Sequence, residues 1–185
     1  MPTILRRLTL LAVLGCGVTS PAFSQVEPIK FGKPDLQDFD PKNFVADSAA
    51  EAVVLCDFGR SRFETGTTDE GFKTVFERVT RIKILTKAGY DRATVEVPLY
   101  HKGTEEEKLL NLKGFTYNLV NGQIVKEKLE SAAVFREESS ANVTTRKFTL
   151  PNVREGAVIE YSYTVSSDFL FNFPDWQFQY SIPVR

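Results

Sequence analysis

Cys56 and His101 are the residues of this 185-residue chain whose types best suit covalent catalysis. A nucleophilic enzyme needs a thiol or hydroxyl beside a base that a third group orients. Cys56 lies in the apolar run VVLCDF, where it would share a face with Val54 and Phe58, and not at a helix N-terminus that would stabilise a thiolate. His101, the only histidine, lies in the turn-like sequence YHKG. We expect a packed Cys56 and a surface His101; a small hydrolase built on the two is the less favoured alternative.

Carboxylates are numerous, but no spacing singles out a catalytic or metal-binding pair. The run DLQDFD contains Asp35, Asp38 and Asp40, yet it lacks the D-x-D-x-D-G pattern and the twelfth-position glutamate of a calcium loop. We expect a solvated turn there, and we expect Glu105 to Glu107 to be solvated as well. A single histidine also makes a zinc site of the usual kind unexpected. The sequence predicts no catalytic, cofactor-binding or metal-ligating residue.

Aromatic residues near the C-terminal end are the remaining candidate binding element. The rings alternate with other residues in two short runs, separated by Pro174 and Asp175: Phe169, Phe171, Phe173, then Trp176, Phe178, Tyr180. Such a ladder could stack on sugar rings, but alternating rings are more often the core face of a strand. We expect core packing here, and the alternative is a glycan-binding module that uses the ladder Phe169 to Tyr180.

Most of the chain shows alternation of apolar and polar residues, the pattern of β-strands, and these strands would position the residues named above. AVVLCDF is a continuous apolar run and predicts a strand that is covered on both faces. FKTVFERVTRIKIL, GYDRATVEVPLY, NVTTRKFTL and GAVIEYSYTVSS predict further strands, the second of them ended by Pro98. In the last strand Ile159, Tyr161, Tyr163 and Val165 share one face. Asn121-Gly122 predicts a two-residue type I′ hairpin.

These patterns predict an all-β fold, an antiparallel β-sandwich with one short helix. The helix is expected between Phe44 and Glu51, because ADSAAEA offers an N-cap followed by good helix formers. The charged run TEEEKLL could form a helical turn, although such runs are usually a solvated face.

Residues 1–24 have the pattern of an export signal: Arg6 and Arg7, a short apolar run, and small residues before Gln25. We expect residues 25–45 to be a linker or lead-in, punctuated by prolines, and residues 46–185 to be the β-sandwich domain. The run VLGC also offers the alternative of a lipid anchor at Cys16, the only route by which we expect membrane contact. The expected location is periplasmic or extracellular.

Composition excludes two classes of protein. The formal net charge is −1, and it becomes −3 without the leader, which holds two arginines and no acidic residue. A nucleic-acid-binding protein would show a strongly basic patch or stripe. With Cys56 as the one cysteine left after processing, a disulfide framework within the chain is excluded.

Several phrases resemble the N-terminal domain of bacterial transglutaminase-like envelope proteins, domain of unknown function 3857. They are AVVLCDFG, ERVTRIKILTKAGYDRATVEVP, YNLVNGQIVKEKL, FTLPNVREGAVIEYSYTVSS and DWQFQYSIPVR, and they span about Ala46 to Arg185. The resemblance implies a β-sandwich that precedes a papain-like core carrying its own Cys, His and Asp. It also implies further strands after Arg185, so we expect a domain truncated at its C-terminal end.

The sequence therefore predicts an exported, non-catalytic module with a scaffolding or protein-contact role. Its expected partner is a protein, either a downstream transglutaminase-like domain or another envelope protein. A glycan is the alternative ligand. No cofactor and no nucleic acid are expected.

Overall fold

The computed structural model describes residues 28–40, 49–65 and 71–185. The expected signal, Cys16 and most of the expected helix at residues 44–51 lie outside these ranges. Eight strands and three 3-10 turns form the described structure, which confirms the all-β fold. The strands are β1 Ala52–Thr65, β2 Phe72–Ile84, β3 Thr94–Lys102, β4 Glu105–Val120, β5 Gln123–Lys128, β6 Val134–Ser140, β7 Val143–Thr149 and β8 Val158–Ser167. The turns span Leu36–Phe39, Lys87–Ala93 and Ser131–Ala133.

The strands form two antiparallel sheets joined by one hairpin. The main sheet has the order β1-β2-β8-β4, with β5 paired to the far part of β4. The small sheet has the order β3-β7-β6. The connection is the β3–β4 hairpin, where His101 pairs with Glu106. No helix within the described parts of the chain is long and apolar enough to cross a bilayer.

The inner face of β8 forms the centre of the core. Ile159, Tyr161, Tyr163 and Val165 share this face as predicted, and all four belong to the main apolar cluster. The Tyr161 ring lies 5.8 Å from the ring of Phe148, which belongs to the small sheet. Burial of each such side chain contributes about 1.5–3 kcal/mol, so these contacts hold the two sheets together.

Strand β1 is buried on both faces at its start, as its apolar run predicts. Ala52 and Val54 face the main cluster, while Val53 and Leu55 join a second cluster on the outer face of the main sheet. A bulge follows: Val54 pairs with Ile82, but Cys56 pairs with the adjacent Arg81. Paired residues point to the same side, so the expectation that Cys56 shares the face of Val54 is wrong.

The predicted hairpin at Asn121-Gly122 is confirmed. The two residues have φ values of 51° and 77°, and Val120 pairs with Gln123 across them. Positive φ at both central positions is the requirement of a type I′ turn, which asparagine and glycine tolerate.

Other local predictions need correction. Pro98 does not end β3; it lies inside the strand and pairs with Thr145 on one side only, and proline is tolerated where no partner requires its missing N–H. The run TEEEKLL is not a helical turn, because Glu105 begins β4. Residues 90–93 belong to a 3-10 turn and not to a strand. Strand β6, which is largely exposed and polar, was not predicted.

The segment from residue 28 to residue 40, expected to be a solvated lead-in, packs on the outer face of the main sheet. Asp38 and Phe39 are only 5% and 7% exposed, so the prediction of a solvated turn is wrong for Asp38. The side chain of Asp35 accepts a hydrogen bond from the Gln37 N–H, and the Asp38 carboxylate accepts one from the Asp35 N–H at 3.1 Å. This reciprocal capping fixes the 3-10 turn that presents Asp38 to the sheet.

A buried carboxylate on β8 holds that segment in place. Glu160 is fully buried and accepts hydrogen bonds from Arg81 at 2.9 and 2.5 Å, from the Tyr117 hydroxyl at 2.9 Å and from the Gly32 N–H at 2.7 Å. Arg81 also donates to Asp38 at 2.9 Å. Burial and the adjacent carboxylate raise the pKa of Tyr117, so its hydroxyl stays a donor.

Lys83 lies nearby on the same face and is 2% exposed. Its ammonium donates to the carbonyl oxygens of Gly156 and Phe39 and lies 4.9 Å from the Phe39 ring centroid. Burial lowers the pKa of Lys83 to about 8, a shift that Asp38 opposes. The part of the outer face around Arg81 and Lys83 is therefore covered and not solvated.

We expect Glu160→Gln to destabilise the fold by about 3–5 kcal/mol, because it leaves the buried Arg81 cation without its main counterion. Glu77→Gln is the matched control: Glu77 lies on β2 in exposed pairs with Arg60 and Arg62, and such pairs contribute about 1 kcal/mol or less each. Urea denaturation measures both. Equal losses in the two variants would contradict the role of Glu160.

Candidate functional site

The end of the β1–β2 hairpin extends beyond the core and exposes aromatic side chains. Phe63 pairs with Thr74, and Phe72 pairs with Thr65, so both rings lie on the face that carries the buried Phe76. Phe76 is 7% exposed, whereas Phe63 and Phe72 are 60% and 59% exposed. The inner face of the hairpin therefore continues past the point where the small sheet covers it.

The segment after β8 covers part of this overhang. The Phe169 carbonyl accepts a hydrogen bond from the Thr74 hydroxyl at 3.5 Å, and the Phe169 ring packs 4.9 Å from that of Tyr100. Phe173 contacts Phe63 edge-on at 5.8 Å but stays 46% exposed, and Phe171 is 77% exposed. We use the name aromatic surface for Phe63, Phe72, Phe171 and Phe173.

Trp176 fixes the next part of the segment against the hairpin. Its ring lies 6.3 Å from that of Phe76, and the guanidinium of Arg78 lies 5.5 Å from its centroid. A methyl group at Gly59 would overlap the Trp176 ring. This strand position therefore needs glycine for a steric reason.

Tyr180 and Arg78 meet at the carboxylate of Asp57. Arg78 donates to both carboxylate oxygens, at 2.9 and 2.6 Å, Thr80 donates at 2.9 Å, and the Tyr180 hydroxyl donates as well. Burial disfavours the charge on Arg78, but the hydrogen bonds to Asp57 outweigh this and raise the pKa of Arg78. The cluster attaches the C-terminal segment to β1 and β2.

A cavity of about 460 Å³ lies between the two sheets beneath the aromatic surface. Its walls combine rings and charged groups; they include Phe76, Arg78, Tyr100, Glu107, Tyr163 and Phe173. Glu107 is 8% exposed, contrary to the expectation of a solvated residue. It accepts hydrogen bonds from the Tyr100 N–H at 2.8 Å, the Ser167 hydroxyl at 2.9 Å and the Asn172 amide at 2.8 Å. These donors use both carboxylate oxygens, so Glu107 connects strands rather than facing a substrate.

The structure does not bring Cys56 and His101 together. Cys56 lies on β1 and His101 on β3, with β2, β8 and β4 between them in the sheet order. His101 is partly exposed, its side chain at 33%, and the nearest carboxylate oxygen, on Glu138, is 3.9 Å from its Nε2. Burial, with the adjacent Asp57, raises the pKa of the Cys56 thiol. The arrangement needed for a thiolate nucleophile is not formed.

The aromatic ladder is not a strand. Residues 168–180 have no regular strand pairing, and the one backbone bridge from the C-terminal segment to β1 among the described residues joins Val184 to Val54. Phe169 is buried and Trp176 and Tyr180 are partly buried, but Phe178, which the alternation places with the last two, is 85% exposed. The six rings therefore do not form one face, whether for a core or for a sugar. Pro174 and Asp175 interrupt the alternation.

Sequence reasoning missed Asp57 and Glu107, which organise this region. Both look like ordinary strand or charge-run residues in the sequence, and all their donors except the Tyr100 N–H come from positions 21 to 123 residues away. Among the described residues no group of three or more His, Cys, Asp and Glu side chains is placed to hold a metal ion.

Comparisons with known proteins add little. No family model matches the chain, and no curated protein matches it. One solved structure, described as a putative protease from Parabacteroides distasonis, is similar with a TM-score of 0.46 and 13% identity over 63% of this chain. This chain spans 23% of that protein's length.

We expect Cys56 to react slowly with iodoacetamide near neutral pH, because its raised pKa leaves little thiolate. In a Cys16→Ser background the folded protein should be alkylated at least tenfold more slowly than the urea-unfolded protein, measured by mass spectrometry. Faster labelling of the folded protein would show an activated thiol and contradict this assignment.

We expect Gly59→Ala to displace Trp176, the single tryptophan, and to cost about 1–3 kcal/mol through overpacking. Wild-type fluorescence emission should be blue-shifted and shielded from iodide, and the variant's emission should be red-shifted. Ser61→Ala, at an exposed position two residues further along β1, is the control. An unchanged spectrum in Gly59→Ala would show that Trp176 does not pack on β1.

Proposed function

We propose that this protein is an exported, non-catalytic β-sandwich module that binds an extended polypeptide segment at the aromatic surface. The observation that carries the proposal is the group of four exposed phenylalanine rings beside the edge of β1, which has a single bridge among the described residues. Contiguous exposed apolar surface is typical of interaction sites, because leaving it in water forgoes a large burial free energy.

The edge of β1 indicates what kind of partner fits. Strand β1 pairs with β2 from Ala52 to Thr65, but on its other edge the described residues give it a single bridge, from Val54 to Val184. Around this bridge the Val54 N–H donates to the Pro183 carbonyl, and the Arg185 N–H donates to the Val54 carbonyl, each at 2.9 Å. An extended chain segment thus already lies against the start of β1. A partner segment could pair in the same way further along the edge, near Phe63.

Such a partner would use β-augmentation. Main-chain hydrogen bonds to the β1 edge would supply affinity, and apolar side chains at alternate positions would contact the aromatic surface. The resemblance to the front domain of transglutaminase-like envelope proteins agrees with a protein partner, such as a downstream domain or another envelope protein. Export through the signal at residues 1–24 is part of the same proposal.

The chemistry-bearing residues support the non-catalytic part of the proposal. Cys56 has a raised pKa, His101 lies on another strand, and Glu107 and Asp57 are occupied by structural hydrogen bonds. The glycan-binding alternative has less support, because Trp176 packs against Phe76 and Arg78 and does not present its face as a sugar platform.

The test is selection of extended 12-residue peptides from a display library on the purified protein. We expect enriched peptides with apolar side chains at alternate positions, whose affinity falls about 10- to 100-fold in Phe63→Ser or Phe173→Ser, since each lost ring contact is worth about 1.5–3 kcal/mol. Phe135→Ser is the matched control, because Phe135 is 58% exposed on β6 of the small sheet.

Two further measurements complete the test. N-methylation of alternate peptide residues should abolish binding if the peptide pairs with the β1 edge. Sedimentation velocity across concentrations shows whether a second copy occupies the same surface, in which case Phe63→Ser should restore the monomer. A protein that stays monomeric and selects no peptide, or peptides that bind Phe63→Ser and Phe135→Ser equally, would contradict the proposal.

A further inference from the structure

A second cavity, of about 290 Å³, lies where the small sheet curves towards β4. The register shows that several of its polar lining residues share one face: Arg136 pairs with Arg146, Thr144 lies two residues before Arg146, and His101 lies two residues after Leu99, the partner of Thr144. Glu106 pairs with His101 on that face. Glu107 also lines the cavity, but its carboxylate accepts hydrogen bonds from Tyr100, Ser167 and Asn172. Lys108 follows Glu106 by two residues and lies on that face too. The cavity is thus lined by residues of β3, β4, β6 and β7.

Two arginines lie directly opposite each other in this cavity. Arg136 on β6 pairs with Arg146 on β7, and like charges in directly opposed positions are destabilising unless a counterion lies between them. Arg136 has a counterion, since it donates to Glu138 at 3.3 and 3.1 Å. Lys108 lies 3.4 Å from Glu106.

Arg146 is the cation of the cavity that has no counterion among the described residues. Its Nε atom is buried and has no hydrogen-bond partner there. The neighbouring Val97 on β3 is apolar and offers no acceptor. A buried donor without a partner costs about 1–3 kcal/mol, and more when the group is charged.

His101 supplies a second unsatisfied group in the same cavity. Its Nε2 atom is buried without a hydrogen-bond partner in the described structure, and the Glu138 carboxylate at 3.9 Å is too distant for a hydrogen bond. Glu138 is instead occupied by Arg136 and by the Thr144 hydroxyl at 3.1 Å.

From these four observations we infer that the cavity is a binding site for a small oxyanion, with Arg146 as its main ligand and His101 as an additional donor. A guanidinium presents parallel N–H groups that fit a carboxylate or a phosphate bidentately. One bound carboxylate would neutralise the one unpaired cation, so a small organic carboxylate is the favoured class. The volume lies at the lower end of the range for small-molecule sites, which excludes a large ligand.

This site is separate from the aromatic surface. The aromatic surface is formed by β1, β2 and residues 171–173, whereas the cavity is lined by β3, β4, β6 and β7. Either proposal can therefore fail without affecting the other.

The experiment titrates the purified protein at low ionic strength with succinate, with acetate and with inorganic phosphate. Sodium chloride at matched ionic strength is the control for nonspecific screening. Amide chemical shifts should change saturably at Arg146, His101 and Thr144. Ligand should also raise the melting temperature of the wild type by several degrees, because binding to the folded state stabilises it.

Arg146→Gln should weaken binding at least tenfold and abolish the ligand-dependent rise in melting temperature. Arg146→Lys keeps the charge but loses the bidentate geometry, and it should bind with intermediate affinity. Arg154→Gln is the matched control, because Arg154 is exposed and outside the cavity. Circular dichroism verifies that each variant folds. If Arg146→Gln does not fold, Arg146→Lys still tests the role of Arg146.

The outcomes distinguish a carboxylate site from a phosphate site, and a specific site from nonspecific ion binding. Saturable binding of succinate or acetate assigns the site to carboxylates, and binding of phosphate alone assigns it to phosphate while retaining Arg146 as the ligand. Shifts that chloride reproduces, that never saturate, or that Arg154→Gln reduces as much as Arg146→Gln would overturn the inference.

Discussion

The buried carboxylate of Glu160 is the constraint on which the rest of the structure depends. An ionised carboxylate removed from water requires nearby donors or a cation. Glu160 lies in the central strand β8, so its donors must come from both neighbouring strands and from above the sheet. Arg81 on β2, Tyr117 on β4 and the Gly32 N–H meet this requirement. One side chain thereby fixes two strand pairs and the segment at residues 28–40.

This constraint explains why the main sheet is covered on both faces. The inner face of β8 packs against the small sheet through Tyr161 and Phe148. On its outer face the Arg81 guanidinium donates to Asp38, and Phe39 lies over the Lys83 ammonium. Apolar contacts join the two sheets, whereas the cover is attached by ion pairs and hydrogen bonds together with the apolar contacts of Phe39 and Phe31. The charged groups fix the position of the cover on the sheet, because each of them needs a particular hydrogen-bond partner.

The sequence predicts the features that short segments determine. Alternation in β8 identifies its two faces, and Asn121-Gly122 identifies its turn, because both depend on neighbouring residues alone. By the same alternation Glu160 lies on the other face of β8, but the alternation could not show that this face is covered. The cover depends on contacts such as the hydrogen bond from the Gly32 N–H, which lies 128 residues from Glu160 in the sequence. Periodicity assigns a side chain to a face, and only the tertiary fold decides whether water reaches that face.

The errors have comparable causes. Cys56 was placed on the wrong face because one bulge residue reverses the alternation, and a bulge leaves no mark in a continuous apolar run. Asp38 and Glu107 were expected to be solvated because charge runs usually are, yet each meets donors from a distant segment. The C-terminal rings have a strand-like pattern, but Tyr180 is held by Asp57 rather than by a strand ladder.

Each of the two proposed sites contains groups that lack a suitable partner among the described residues. Asp57, Glu107 and Glu160 have their hydrogen-bonding capacity used by donors within the described structure, so they stabilise strands and are poorly placed to react with a substrate. Phe63 lies beyond the opposing sheet and is 60% exposed, while Arg146 pairs with another arginine and has no counterion among the described residues. In our two proposals, an apolar polypeptide covers Phe63 and an oxyanion neutralises Arg146. The two sites therefore differ in chemistry because the fold leaves a different kind of group unsatisfied at each.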